Sequence, residues 1–269
     1  MNKVKAIVLR TAGTNCDKET AFAFEAVGAS AELVHINELT RKEKDLNGYH
    51  ILAIPGGFTY GDDIASGKIL ANELKFKLGE ELQRFINDGK LIIGICNGFQ
   101  ILVKAGLLPN LSGDFRTIEA TLTLNDSAKF EDRWVYLKRP NTKRLRPKTK
   151  CVWTEGITDI IYLPVAHGEG KFIPKDNSIL KQLKGEGLIV FEYVDEKGRR
   201  ASYPYNPNGS VENIAGICDK TGRIFGLMPH PERHVTNYQH PRWTRVALNG
   251  IGDGLAVFKN GVNFIKNCL

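Results

Sequence analysis

The sequence lacks any long hydrophobic run. No apolar stretch approaches the roughly 18–20 residues that a membrane-spanning helix needs. The N-terminal segment has an apolar core of only four residues, at positions 6–9. A core this short predicts a β-strand and not a signal peptide. We therefore expect a cytoplasmic protein that makes no membrane contact.

Cysteine is scarce as well, and phosphate-binding motifs are absent. The five cysteines form no C-x-x-C pair, and a chain of this length does not need disulfides. No cluster of cysteine and histidine has the spacing of a structural zinc site, so we expect no metal. The sequence also has neither a G-x-x-x-x-G-K-[ST] loop nor a G-x-G-x-x-G fingerprint. It therefore offers no ATP or dinucleotide site of its own.

The remaining composition is that of a globular protein, with one unusual stretch. Of the 269 residues, 42% are hydrophobic and 25% are charged, and 37 basic against 30 acidic residues give a net charge of +7. Residues 138–150 hold seven basic residues and no acidic one, so the rest of the chain is balanced. A solvated loop is the favoured interpretation, and a docking patch for an acidic partner is the alternative. Nucleic-acid binders more often spread basic residues along a face among aromatics, so we expect no nucleic-acid partner.

Strand and helix signals alternate in the first half of the sequence. Strands are predicted at residues 4–9, 31–36, 51–54 and 91–95. Helices are predicted at residues 18–27, with Asn15 or Asp17 as the cap, and at residues 98–105. One further amphipathic helix is predicted from the stripe of Leu74, Leu78, Leu82 and Phe85.

The second half is richer in strands. They are predicted at residues 117–124, 133–137, 160–165, 188–194, 214–218 and 224–228, and a last helix carries Leu255, Phe258, Val262 and Ile265. Repeated strand–helix units with short connections predict an α/β fold, a mostly parallel sheet flanked by helices with added strands in the second half. No linker separates two compositions, so we expect one domain over residues 1–269.

Cys96 is the strongest candidate for a nucleophile. It lies in the segment Gly94-Ile95-Cys96-Asn97-Gly98, between a predicted strand and its helix. Two glycines permit the sharp turn of a nucleophile elbow, with Cys in the place of the usual Ser. The turn would expose the sulfur at the carboxyl end of the sheet, and the helix N-terminus behind it favours a thiolate. The alternative is a buried core cysteine, which the flanking glycines disfavour.

His230 and Glu232 are the candidates for the base and its orienting acid. They lie in Met228-Pro229-His230-Pro231-Glu232, directly after a predicted strand. The two prolines predict an extended segment, in which residues two apart point the same way. Glu232 would then hold the imidazole of His230 in one tautomer, as the third member of a triad does. Alone, H-x-E is a weak pattern, and a loop histidine with a chance neighbour is the alternative.

Four further residues are candidates for binding the substrate. An attacked amide carbonyl develops a negative oxygen, which backbone N–H groups of Asn97 and of the Gly56-Gly57 turn can stabilise. The alternative for Gly56 and Gly57 is an ordinary tight turn. Gln100, one helical turn beyond Cys96, is expected either to orient the substrate or to cap a neighbour.

This set of residues suits the hydrolysis of glutamine. A thiolate attacks the side-chain amide, an imidazolium protonates the leaving amine, and water clears the thioester. The products are glutamate and ammonia. Because the chain has no phosphate loop, we expect a partner synthetase to use the ammonia.

Seven segments of the sequence form a larger pattern. They are G-T-N-C-D at 13–17, P-G-G-F-T-Y-G-D at 55–62, G-I-C-N-G-F-Q at 94–100, R-W-V-Y-L at 133–137, P-V-A-H-G-E-G-K-F at 164–172, N-P-N-G-S at 206–210 and M-P-H-P-E-R at 228–233. With these segments the chain resembles the class I, triad-type glutamine amidotransferases. Within that class it is similar to the glutaminase subunits of phosphoribosylformylglycinamidine synthase.

The resemblance implies a flavodoxin-like fold with Cys96, His230 and Glu232 as the catalytic triad. It implies L-glutamine as substrate and no cofactor in this chain, with ATP and Mg²⁺ on a large synthetase subunit. A small third subunit and conversion of formylglycinamide ribonucleotide to the amidine, in purine biosynthesis, are implied too. His167 and Glu169 would line the site or the partner contact without a catalytic role.

Two rivals remain at this point. Another enzyme with a cysteine elbow, such as a γ-glutamyl hydrolase or a DJ-1-like protein, would share the fold but lack the H-G-E-G and N-P-N-G-S segments. A non-catalytic module that binds nucleic acid through its basic loop would show steeply salt-dependent binding.

Overall fold

The computed structural model describes residues 3–140, 150–157, 160–246 and 250–268. Most of the basic stretch, residues 141–149, lies outside these ranges, so its interpretation as a solvated loop stays a prediction. Within the described ranges, no helix has the length and hydropathy needed to cross a bilayer.

The described residues form eleven strands and seven α-helices. The strands are β1 (Lys5–Arg10), β2 (Ser30–His35), β3 (Ile51–Ile54), β4 (Leu91–Ile95), β5 (Ala120–Thr123), β6 (Glu131–Lys138), β7 (Ile161–His167), β8 (Lys171–Pro174), β9 (Ile189–Val194), β10 (Ile214–Cys218) and β11 (Ile224–Leu227). The helices are α1 (Asp17–Ala26), α2 (Ile36–Thr40), α3 (Lys68–Lys77), α4 (Gly79–Asn87), α5 (Asn97–Lys104), α6 (Asn177–Gly185) and α7 (Leu255–Cys268).

Nine strands form one sheet that is parallel at one end and antiparallel at the other. Their order is β2-β1-β3-β4-β11-β10-β9-β6-β7, and β5 pairs with β8 in a separate ribbon. The pairs from β2 through β4 to β11 are parallel, whereas those from β11 to β7 are antiparallel. The predicted α/β class, with added strands in the second half, is confirmed.

The centre of the sheet is apolar because helices cover it. Every residue of β3 and β4 is buried, as expected of parallel strands that are covered on both faces. The helix α5 packs against these strands at very short range. A Cβ on Gly98 would lie only 1.9 Å from the carbonyl oxygen of Ile54. Glycine at this position therefore sets how closely the helix that follows Cys96 approaches the sheet.

The predicted long amphipathic helix is two helices. The chain breaks at Leu78, whose φ of −122° and ψ of 15° lie outside the helical range, and Gly79 begins α4. Leu74, Leu78, Leu82 and Phe85 are nevertheless all buried. The stripe identified the buried residues correctly, but apolar spacing alone does not report a break between two helices that bury the same stripe.

Three elements escaped the sequence patterns, and one cap was assigned wrongly. Strand β8 and helices α2 and α6 were not predicted. In α6, Ile179, Leu180 and Leu183 pack on the core, but only Leu183 is fully buried. The Asp176 cap of α6, which accepts from the N–H groups of Ser178 and Ile179, was the available signal. In α1 the N-cap is Cys16 without a side-chain cap bond, and Asp17 pairs with Arg10 instead.

Candidate active site

Cys96 occupies a strained turn between β4 and α5. Its φ of +51° and ψ of −106° lie in a region that residues with a side chain rarely adopt. The neighbouring glycines make the turn possible, because a Cβ on Gly94 would lie 2.5 Å from the carbonyl oxygen of Gly98. The expected exposure of the sulfur is wrong, because Cys96 as a residue is only 5% exposed. Its Sγ atom lies 3.6 Å from the carbonyl oxygen of Ala166. This is the geometry of a nucleophile elbow.

His230 reaches the same edge of the sheet from the neighbouring strand. Leu227, the last residue of β11, pairs with Ile95, the last residue of β4. Parallel neighbours end at the same edge, so the residues that follow them meet there. Cys96 and His230 come from opposite halves of the sequence, and the pairing of β4 with β11 brings them to the same edge.

Glu232 contacts His230 through a local turn. The Nδ1 atom of His230 donates to Oε1 of Glu232 at 2.6 Å, and Glu232 is fully buried. The extended conformation predicted for this segment is wrong, since Pro231–Arg233 form a single 3₁₀ turn. Proline fits the first position of such a turn because no N–H is needed there. The contact between the two side chains forms nonetheless.

The environment of His230 favours an imidazolium. Burial acts to lower its pKa, but the carboxylate of Glu232 and the sulfurs of Cys96 and Cys16 outweigh burial and hold the pKa well above the usual range. Its Nε2 atom is buried and makes no hydrogen bond within the described residues. With Nδ1 held by Glu232, Nε2 is the nitrogen available to exchange a proton with Cys96.

Gly56 is the point at which the candidate residues converge. A Cβ at this position would lie 2.7 Å from Cε1 of His230, 3.2 Å from Sγ of Cys16 and 3.4 Å from Cβ of Cys96. The carbonyl oxygen of Gly56 also accepts from the N–H of Cys16 at 3.2 Å. The turn after β3 therefore packs directly against both the thiol and the imidazole.

Cys16 is a member of this site that sequence reasoning missed. Its sulfur lies 3.9 Å from Nδ1 of His230 and accepts from Nη2 of Arg233 at 3.1 Å. Burial raises the pKa of its thiol, although the contact with His230 acts in the opposite direction. Arg233 also pairs with Glu19 of α1, so Cys16 and Glu19 join the 3₁₀ turn to the first helix. The G-T-N-C-D segment was its only signal.

Cys16, His230 and Glu232 bring one possible metal-ligand atom each within 4.8 Å of one another. The distance from Nδ1 to Oε1 is 2.6 Å, which is the length of a strong hydrogen bond. Two atoms bound to one tetrahedral zinc at about 2.0–2.1 Å would lie roughly 3.3 Å apart. The arrangement therefore fits a hydrogen-bonded histidine and carboxylate better than a zinc site.

Comparisons with known proteins decide the family. A family model described as CobB/CobQ-like glutamine amidotransferase domain matches residues 3–265. A phosphoribosylformylglycinamidine synthase subunit PurQ from Dehalococcoides mccartyi is 52% identical, and the match covers 99% of both chains. The chain belongs to the PurQ group of glutamine amidotransferases.

Two further relatives of this amidotransferase agree. The PurQ subunit of Archaeoglobus fulgidus is 41% identical over 98% of both chains. A chain of the PurLQS structure from Thermotoga maritima superimposes with a TM-score of 0.71 and 30% identity, covering 98% of this chain and 100% of that one. The resemblance expected from the seven segments is thus confirmed over nearly the whole sequence.

In this PurQ-type protein, Asn97 and Gln100 belong to a series of hydrogen bonds beside the Cys96 turn. Oδ1 of Asn97 accepts from the hydroxyl of Thr59 at 2.8 Å, and its Nδ2 donates to Oε1 of Gln100 at 2.9 Å. Nε2 of Gln100 donates in turn to the carbonyl oxygen of Glu169 at 2.6 Å. These contacts favour the capping interpretation of Gln100, and Asn97, as the first residue of α5, keeps a backbone N–H without a helical partner.

His167 belongs to a neutral network behind the triad. Its Nδ1 donates to Oδ1 of Asn125 at 3.1 Å, and its Nε2 accepts from Nδ2 of Asn208 at 3.5 Å. Burial, helped by the nearby His230, lowers its pKa to about 3. A proton on Nε2 would oppose the amide donor of Asn208. The network joins the H-G-E-G segment to the N-P-N-G-S segment through the contact between His167 and Asn208.

Proposed function

We propose that this chain is the glutamine amidotransferase subunit of a phosphoribosylformylglycinamidine synthase, with Cys96, His230 and Glu232 as its catalytic triad. The observation that carries the assignment is that Cys96 and His230 converge around Gly56 at the carboxyl ends of β4 and β11, with Glu232 hydrogen-bonded to His230. Membership of the PurQ group supplies the substrate class, L-glutamine.

The first half of the reaction makes a thioester. The Cys96 thiolate attacks the side-chain amide carbon of glutamine, and the carbonyl π electrons move onto its oxygen. The tetrahedral intermediate then collapses, the carbon–nitrogen bond breaks, and His230 donates its Nε2 proton to the departing nitrogen. Ammonia leaves, and the glutamyl group remains on Cys96.

The second half returns the enzyme to its starting state. Neutral His230 now takes a proton from water, and the resulting hydroxide attacks the thioester carbon. The carbon–sulfur bond breaks, glutamate is released, and the Cys96 thiolate again faces the imidazolium. Glu232 stabilises that imidazolium in both halves and fixes the tautomer that presents Nε2 to the sulfur.

Backbone N–H groups of Asn97 and of the Gly56-Gly57 turn are proposed to hold the oxyanion. Gly57 has a φ of +146°, a conformation suited to glycine. Removing one such donor from an enzyme typically costs roughly 3–4 kcal/mol of barrier stabilisation. The side chains of Asn97 and Gln100 hold the Thr59 and Glu169 segments in position beside these backbone N–H groups.

The ammonia is used by another protein. We propose that a large synthetase subunit receives it, uses ATP and Mg²⁺, and converts formylglycinamide ribonucleotide to the amidine in purine biosynthesis, with a small third subunit in the complex. The T. maritima relative belongs to a structure named PurLQS, which supports a complex of this kind. We expect this chain to need no cofactor, to act in the cytoplasm and to form one domain over residues 1–269.

Replacing Cys96 with Ala tests the assignment. We expect Cys96→Ala to abolish synthesis from glutamine by the assembled complex but to spare synthesis from added ammonium salt, because only the ammonia source is lost. Cys151→Ala, at a buried cysteine outside the site, is the matched control and should keep both activities. If Cys96→Ala loses both activities while the control keeps them, the residue has a structural role.

A second measurement separates this function from a stand-alone hydrolase. We expect the wild-type chain to hydrolyse glutamine much faster with the synthetase subunit than without it. Full activity in its absence would favour the hydrolase.

A further inference from the structure

Two aromatic rings lie together on the surface beside the candidate active site. Phe58 is 45% exposed and Phe130 is 52% exposed, and their ring centroids are 6.2 Å apart. Exposed apolar side chains are ordinary when scattered singly, whereas adjacent ones mark an interaction surface. We call these two residues the Phe58–Phe130 pair.

The pair joins the two segments that border the site. Phe58 directly follows Gly57 in the turn that packs against the thiol and the imidazole. The ring of Phe130 lies over the H-G-E-G segment, with its Cδ2 atom 4.0 Å from the position of a Cβ on Gly168. A protein that covered both rings would therefore touch both borders of the site at once.

Beneath the surface, a series of hydrogen bonds connects Thr59, which follows Phe58, with Lys129, which precedes Phe130. On one side, the hydroxyl of Thr59 donates to the side chain of Asn97, and Asn97 donates to the side chain of Gln100. Gln100 donates in turn to the carbonyl oxygen of Glu169. On the other, Asn125 accepts from the N–H of Gly170 and donates to the carbonyl oxygen of Lys129, next to Phe130. This series of hydrogen bonds includes Asn97, the residue adjacent to Cys96. A contact on the pair thus bears on the position of the proposed oxyanion donor.

We propose that the Phe58–Phe130 pair is the docking point for the large synthetase subunit, and this proposal rests on the proposed function. Ammonia released into neutral water is protonated, and ammonium is not a nucleophile. The acceptor protein must therefore seal the edge of the cleft in which ammonia forms, and the pair lies on the two segments that make this edge. Aromatic side chains of this exposure supply much of the binding energy of protein interfaces.

The chain offers a matched control. Tyr238 and Trp243 form a second exposed aromatic pair, with centroids 5.5 Å apart and exposures of 76% and 50%. This pair follows the Pro231–Arg233 turn in the sequence, and neither residue is a member of the series of hydrogen bonds through Asn97. If exposure alone decided docking, it would serve as well as the first pair.

The test measures binding of the purified synthetase subunit to the full chain by calorimetry. We expect Phe130→Ser to raise the Kd at least about tenfold, and Tyr238→Ser to change it by less than twofold. Phe130→Glu, which puts a charge at the same exposed place, should weaken binding further. Circular dichroism and thermal unfolding confirm that each variant is folded, and both positions are exposed enough to tolerate the change.

The turnover assay gives a second readout. With Phe130→Ser, we expect glutamine-dependent synthesis to need a proportionally higher synthetase concentration for half-saturation and to recover the wild-type rate at saturation. A Kd within twofold of wild type for both Phe130 variants would overturn the proposal. So would weaker binding by Tyr238→Ser than by Phe130→Ser, or a loss confined to the small third subunit. Failure of the proposed function is distinct, because it appears as absent synthesis by the wild-type complex.

Discussion

The candidate active site can pack as it does because Gly56 has no side chain. The α-carbon of Gly56 faces His230, Cys16 and Cys96 at distances that leave no room for a side chain. Any larger residue would push the imidazole away from the thiol, and displacements near 1 Å in an active site can cost about 100-fold in rate. The site thus depends on a residue that contributes no functional group.

Gly56→Ala should accordingly lower kcat for glutamine about 100-fold in the assembled complex, with a smaller effect on KM. Steady-state kinetics of ammonia release will check this. Gly48→Ala is the control, because a Cβ there meets nothing within 4 Å, and it should leave the kinetics unchanged. A kcat within threefold of wild type for Gly56→Ala would contradict the packing argument.

The lowered pKa of His167 leads to a prediction of how the stability of the fold depends on pH. Its pKa is about 3 in the folded chain and near 6.5 when unfolded, so between these values the unfolded state binds one more proton than the folded state. Stability then falls as the pH drops below about 6.5, by about 1.4 kcal/mol per pH unit from this group.

The check is urea unfolding of wild type and His167→Asn at several values from pH 8 to pH 4. At pH 8 the free energy of unfolding should be lower for the variant than for wild type. On acidification it should fall less steeply, and the two slopes should differ by about 1 kcal/mol per pH unit. Parallel curves would show that His167 does not carry the acid sensitivity.

The residues of the proposed triad could be predicted from the sequence, but not all of the residues around them. Glycines around Cys96 permit a sharp turn, and prolines around His230 restrict the backbone. Both effects are local, so they can be interpreted without a structure. Cys16 has no such local mark, because its contact with His230 depends on how α1 packs against a distant turn. The extended conformation assigned to the Pro231 segment was wrong for a different, local reason, since proline permits a 3₁₀ turn as readily as a strand.

At the scale of elements, the position of α5 depends on Gly98. A Cβ there would lie 1.9 Å from the carbonyl oxygen of Ile54, and backbone atoms cannot move aside as a flexible side chain does. The helix begins directly after Cys96, so a shift of α5 would move the proposed nucleophile. Stability and turnover are therefore coupled at this contact.

Gly98→Ala should destabilise the chain by about 3 kcal/mol or prevent its folding, as measured by urea unfolding. Gly185→Ala, at the end of α6 where a Cβ meets nothing within 4 Å, should be neutral or stabilising by up to about 1 kcal/mol. Equal stabilities for the two variants would mean that α5 can move away from β3 without cost.

Elements with a strong apolar pattern were predictable, and those without one were not. The central strands β3 and β4 are buried throughout and stand out in the sequence. Helix α6 has nine residues and one fully buried side chain. Its apolar stripe of Ile179, Leu180 and Leu183 is too short to stand out in the sequence. The division between α3 and α4 is set by the turn at Leu78, which apolar spacing does not encode.

At the scale of the molecule, the net charge of +7 resides in residues 138–150. Replacing Lys143, Arg144, Arg146 and Lys148 with Gln tests whether that charge is used. We expect kcat, KM for glutamine and the half-saturating synthetase concentration to stay within twofold at both low and physiological salt. A loss of affinity at low salt that disappears at high salt would instead identify a docking patch for an acidic partner.

The pairing of β4 with β11 has a consequence for the timing of synthesis. The thiol follows one strand and the imidazole follows the other, and the second strand leaves the ribosome only after most of the chain has been made. If Cys96 and His230 act as proposed, a nascent chain carries the nucleophile without its base, and we expect no hydrolysis of glutamine before the polypeptide is nearly complete. Recovery of hydrolysis during refolding would accordingly time the moment at which the two halves of the sheet join.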